Sequence, residues 1–197
     1  MSKTLSAHLD ATSSPATVTS AWLRSTGIVL AASALVAVCA HIAIPFYFTP
    51  VPLSMATFAV LLLGLMLSPR MAAATLVAYL AEGALGLPVF APGPISGPAH
   101  LLGPTGGYLI AYPAAAALVS YLWRRTGRSF TAALVSATAG SMIILLCGAL
   151  WLAALTHTSA QGIFTLAVLP FLAGDALKIA AAAGVATGFE RLRRFAR

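Results

Sequence analysis

The sequence predicts an all-α integral membrane protein with six transmembrane helices and both termini in the cytoplasm, and three observations carry that prediction. Of 197 residues, 60% are hydrophobic and 8% charged, with a mean hydropathy of +0.95, which excludes the surface chemistry of an ordinary soluble domain. Six apolar stretches follow one another: Gly27–Pro45, Leu53–Leu67, Met71–Leu85, Tyr108–Trp123, Thr131–Leu155 and Gly162–Phe189. The basic residues sort to one side of them. With the N-terminus inside, Lys3, Arg24, Arg70, Arg124, Arg125, Arg128, Arg191, Arg193, Arg194 and Arg197 fall in cytoplasmic segments, ten of the eleven Lys and Arg residues. No outer loop then holds a basic residue, which favours an even number of spans over five or seven. The formal charge of +7 is thus a topology signal, and nucleic acid is not an expected partner.

In chain order, residues 1–22 are rich in Ser, Thr and Ala and read as a disordered cytoplasmic tail, leaving 23–197 as a six-helix membrane domain. No small-residue cleavage site follows the first apolar run, so that helix is expected to stay uncleaved. It carries Gly27, Ala31, Ser33 and Ala37 at helical spacing, a small-residue face suited to close packing within the protein or against another subunit. The second and third stretches are short for a hydrocarbon core of about 30 Å. They can span only if their outer ends run into loops covered by protein. Those outer loops, Phe46–Pro52, Gly86–Gly107 and Thr156–Gln161, hold much of the Pro, Gly and aromatic content. Irregular backbone at membrane depth is tolerated where protein buries it or it lines a cavity, so an outward-facing cavity is expected.

Polar chemistry concentrates in two places. Gly103-Pro104-Thr105-Gly106-Gly107-Tyr108 is a Gly-rich turn entering a helix, where free N–H groups and a tyrosine could meet a ligand. Pro170-Phe171-Leu172-Ala173-Gly174-Asp175-Ala176-Leu177-Lys178 sets an acid and a base inside an apolar run. Pro170 and Gly174 are expected to interrupt the helix, Asp175 to cap the next one, and Asp175 and Lys178 to share a face of its first turn. Charges at membrane depth are costly unless paired, so this pair reads as a ligand site. Glu82 is a snorkelling or loop-bonded carboxylate or a proton-linked group. Cys39 and Cys147 sit in apolar runs and read as small hydrophobes, and His8, His41, His100 and His157 lack metal-ligand spacing. A membrane enzyme would have to use Asp175, Lys178 and Glu82, which match no metal or phosphate-binding pattern.

Three motifs in this order, Thr49-Pro50-Val51-Pro52-Leu53, then Gly86-Leu87-Pro88-Val89-Phe90 with the Gly103–Tyr108 turn, then Pro170–Lys178, resemble the BioY family. The resemblance runs from about Gly27 to Arg193. It implies the fold of an S component of an energy-coupling factor (ECF) transporter and, as function, uptake of biotin in a bacterial inner membrane, multi-pass and without enzymatic activity. By the same resemblance Asp175 and Lys178 contact biotin's polar groups, and Phe90, Thr105, Gly106, Gly107, Tyr108, Ser96 and Tyr47 line the rest of the pocket. Some relatives carry Asn in the loop after Leu-Pro-Val-Phe, whereas Ala91–Gly97 has none; Ser96 is the candidate replacement. The chain has no GxxxxGK[ST] phosphate loop, so no cofactor is expected on it: ATP would be hydrolysed by partner ATPases, which with a coupling subunit would dock at helix 1 through Ala31, Ser33 and Ala37. An S component for another vitamin, or a transporter working alone, stays open.

Overall fold

The computed structural model describes residues 15–93, 95 and 97–196. The chain folds as α1 (Pro15–His41), β1 (Ala43–Ile44), β2 (Leu53–Ser54), α2 (Ala56–Met66), α3 (Pro69–Ala84), α4 (Pro98–Leu102), α5 (Gly106–Arg125), α6 (Phe130–Thr156), α7 (Ala160–Ile163), a π-helical turn (Phe164–Val168) and α8 (Leu169–Phe195). Among the described residues a helix stands at each of the six expected stretches. Three of them, Trp22–His41, Phe130–Thr156 and the continuous helix Ala160–Phe195, are long and apolar enough to cross a membrane.

Local sequence explains where these helices begin. Ser68 accepts from the Met71 N–H with Pro69 opening α3, Ser129 accepts from Ala132 at the start of α6, and Ser159 accepts from Gly162 at the start of α7. Each hydroxyl satisfies an N–H that the first helical turn leaves free. Helix α1 begins at Pro15, where proline opens a helix without needing its N–H; most of the expected tail, residues 1–14, lies outside the described part.

The helices close into a ring in the order α1, α3, α5, α6, α8, α2, with α2 also reaching across to α5. Small residues let the crossings approach. A Cβ on Gly140 would strike Val119, one on Gly107 would strike Trp151, and one on Gly148 would strike the Tyr108 ring. With lipid outside, such close packing is the main force between helices. Most of the buried core lies between α1, α2, α3, α5 and α6, and a second cluster joins α2, α5, α6 and α8.

Helix α2 positions the site by being short. Its 11 residues cover roughly 16 Å of a core about 30 Å thick. The remaining depth is filled by residues 42–55, where β1 and β2 pair antiparallel, Ala43 with Ser54 and Ile44 with Leu53. That two-residue pairing was not legible in the sequence. At the other end, Ser120 Oγ donates to the Leu67 carbonyl at 2.6 Å and Arg128 Nη1 to Glu190 Oε1 at 3.0 Å. The α2–α3 turn, the α5–α6 turn and the end of α8 therefore gather together, bringing most of the arginines to one end of the ring.

Candidate functional site

Between the strap 42–55, α3, α5, α6 and α8 lies a solvent-open cavity, about 590 Å³ with its open mouth included, whose walls include Thr57, Tyr79, Tyr108, Tyr112, Phe171, Asp175 and Lys178. A second, more apolar chamber of about 970 Å³ is lined by Phe46, Pro50, Pro92, Ile95 and Pro104. Pro52, Ala91, His100 and Thr105 border both, so an inner and an outer chamber meet at these four residues, the neck.

Asp175 and Lys178 are 7% and 6% exposed, and Lys178 Nζ lies 3.3 Å from Asp175 Oδ1. Both line the inner chamber, as the sequence predicts. The helix around them does not follow the prediction. Pro170 and Gly174 lie within a continuous helix from Ala160 to Phe195, and Asp175 caps nothing. The π turn 164–168 widens the backbone just ahead of Pro170, which then occupies the first turn of α8, where its missing N–H is tolerated. Asp175 consequently stands roughly 22 Å along that helix from Ala160, near its middle.

Two hydroxyls complete the pair. Ser141 Oγ donates to Asp175 Oδ2 at 2.9 Å, and Lys178 Nζ donates to Thr57 Oγ1 at 2.9 Å. The ammonium has three N–H groups and two are engaged, while each carboxylate oxygen retains a lone pair. The cluster is charge-neutral, as burial demands, and it still has one donor and two acceptors to offer. Ser141 and Thr57 were missed in the sequence because nothing local sets them apart. On the same α6, Ser136 and Thr138 merely bond the carbonyls of Ala132 and Leu134.

The aromatic walls are held from behind. Tyr108 donates its hydroxyl to the Ala167 carbonyl in the π turn at 2.9 Å, so it offers a cavity its ring. Phe90 is buried over Gly83, edge-on to Tyr79 at 5.4 Å and stacked on His100 at 5.0 Å; it supports the wall rather than lining it. Tyr79 donates to the Val89 carbonyl at 3.1 Å. His100, to which the sequence assigned no chemistry, borders both chambers, with Nδ1 bonded to the Ile95 carbonyl at 3.0 Å. Its signal was its place in the Pro- and Gly-rich loop, invisible without the neck.

Other expected site residues divide. Thr105 sits at the neck. Gly106 and Gly107 do not open toward a cavity: their Cα atoms face the Leu101 carbonyl and Trp151, and Trp151 Nε1 pins the turn by donating to Gly103 O at 2.9 Å. The glycines are there for close packing on α6. Tyr47 is fully exposed and borders neither chamber; the neighbouring Phe46 does. Ser96 lies outside the described residues. Ser33 is buried and donates to Glu82 Oε2 at 2.5 Å, which ties α1 to α3 and removes Ser33 from any outward docking face. Ala31 remains exposed and Ala37 half-buried. Among the described residues no cluster of His, Cys, Asp or Glu could hold a metal ion.

A family model described as the BioY family matches residues 9–195. A "Probable biotin transporter BioY" of Pyrococcus horikoshii is 42% identical over 144 residues, 73% of this chain and 82% of that protein. The "Biotin transporter BioY" of Thermotoga maritima is 34% identical, over 81% of this chain and 92% of its own length. Among solved structures, the 2.1 Å crystal structure of the S-component for biotin from an ECF-type ABC transporter superposes with a TM-score of 0.78 at 24% identity, covering 89% of this chain and 93% of that one.

Proposed function

Because this chain belongs to the BioY family, we propose that it is a biotin-binding membrane subunit that takes up the vitamin and catalyses no reaction. The observation that carries this reading is the neutral Asp175–Lys178 cluster in an otherwise aromatic and aliphatic chamber. Biotin's ureido group has a carbonyl to accept the free Lys178 N–H and two N–H groups to donate to Asp175. Its carboxylate has acceptors only, and would be repelled by Asp175. The fused rings therefore lie against the cluster between Tyr79, Tyr108 and Phe171, and the valeryl chain runs toward His100 and Thr105 at the neck. A mostly apolar concave site with a few placed polar groups suits such a molecule.

The finer topology is part of the same proposal. Six spans with both ends in the cytoplasm of a bacterial inner membrane are supported by the gathering of Arg124, Arg125, Arg128 and the α8 arginines at one end, away from the two chambers. The chambers then open outward. The chain binds biotin and no cofactor, and coupling and ATPase subunits supply the energy, docking on the exposed side of α1 around Ala31. Equilibrium binding of labelled biotin to the purified protein tests the central claim. Saturable, tight binding is expected, reduced more than tenfold by Asp175→Asn; binding unchanged by that substitution would refute the site.

A further inference from the structure

We propose that the basic end of the molecule holds the phosphate headgroup of an anionic phospholipid, in the recess between the α5–α6 turn and the last turns of α8. This rests on the membrane reading above. The recess measures about 540 Å³ and is lined by Arg128, Glu190, Arg193 and Arg194. Three guanidiniums face one carboxylate there, and Arg128 Nη1 already donates to Glu190 Oε1 at 3.0 Å. The other described carboxylates are engaged far away, Glu82 with Ser33 and Asp175 with Lys178 and Ser141. Among the described residues, none pairs with Arg193 or Arg194. Among the described residues no further carboxylate balances this excess of positive charge.

The surroundings select a lipid. The Arg193 guanidinium lies over the Phe189 ring at 5.5 Å, and that of Arg128 over the Trp123 ring at 6.0 Å. Leu192 and Phe195, 69% and 90% exposed, flank the arginines with apolar surface. A ligand that joins a phosphate to acyl chains satisfies both the guanidiniums and this surface, whereas inorganic phosphate satisfies only the first. Arg128 itself is held at φ 49°, a left-handed conformation that residues with side chains seldom adopt, and this turns the chain so that its guanidinium reaches Glu190 at the rim. A zwitterionic headgroup would bring its own ammonium against Arg193 and Arg194.

The test is thermal unfolding of the full chain in detergent, titrated separately with phosphatidylglycerol, phosphatidylcholine and inorganic phosphate, with retained lipid counted by native mass spectrometry. Phosphatidylglycerol should raise Tm by several degrees and leave one bound lipid, and neither other additive should. The double variant Arg193→Ser/Arg194→Ser should lose that shift while binding biotin as wild type does, and Arg194→Lys should retain most of it. An equal shift from phosphatidylcholine, an equal shift from inorganic phosphate, or a shift that survives the double variant would each overturn the proposal. No shift with any lipid would leave the recess to an acidic segment of a partner subunit and overturn it as well. Since biotin binding is read in the same samples, failure of the lipid site and failure of the transport reading show up separately.

Discussion

The two ion pairs among the described residues differ in a way that bond length alone would misjudge. Arg128–Glu190 is the shorter, at 3.0 Å, with side chains 37% and 18% exposed, and Asp175–Lys178 spans 3.3 Å at 9% and 7%. Water and salt screen the first, so its contribution to stability is at most about 1 kcal/mol. The second is largely withdrawn from water, and losing one partner strands the other at a cost of about 3–5 kcal/mol. The surrounding medium decides what each pair is for. The exposed pair orients an arginine at a rim; the buried pair keeps a donor and acceptors available inside an apolar chamber.

The sharpest way to break this comparison is to remove one charge and then both. Lys178→Met should lower the yield of folded protein and weaken biotin binding by more than a hundredfold. Adding Asp175→Asn should recover thermal stability without recovering binding, which Tm and equilibrium binding measured side by side would reveal; recovery of binding would mean the pair serves structure only. Next in size is Gly148→Val, whose side chain must displace the Tyr108 ring. It should cost about 1–3 kcal/mol by overpacking and weaken biotin binding in parallel, seen in the same two measurements.

Smaller effects sharpen the contrast. Ser141→Ala removes the donor to Asp175 Oδ2, and should weaken binding about fivefold to tenfold, in line with about 1–1.5 kcal/mol for one hydrogen bond, while leaving the Tm within a few degrees. Smallest of all, Glu190→Gln should leave biotin affinity unchanged and shift stability by no more than about 1 kcal/mol. That small difference should fade as salt rises to about 1 M, where the screening length is near 3 Å, whereas the effect of Ser141→Ala should not respond to salt.

Helix positions were legible in the sequence because apolar runs of this length have few alternatives at membrane depth, and α3, α5 and α6 lie within a few residues of the stretches read for them. The pair Asp175 and Lys178 was legible because charge is conspicuous in an apolar run. Its setting was not. Pro170 and Gly174 carry helix-breaking chemistry, yet a π turn that no local pattern announced absorbs the proline. Gly106 and Gly107 looked like an open turn, and only Trp151, 44 residues after Gly107 in the sequence, shows that they are packing surfaces. Ser33 looked like part of an outward face until Glu82 was placed across from it.

By itself the sequence determined what kind of molecule this is: composition forced the chain into a membrane, spacing set its helices, and the distribution of arginine distinguished its two ends. Tertiary structure alone decided which polar groups share the chamber. Thr57, Ser141 and His100 meet Asp175, Lys178 and the neck through contacts between elements far apart in the chain. Hydrophobicity acts on each segment locally and can be read along the chain. Hydrogen-bond pairing depends on which helix faces are brought within about 3 Å of each other, and only the closed ring fixes that.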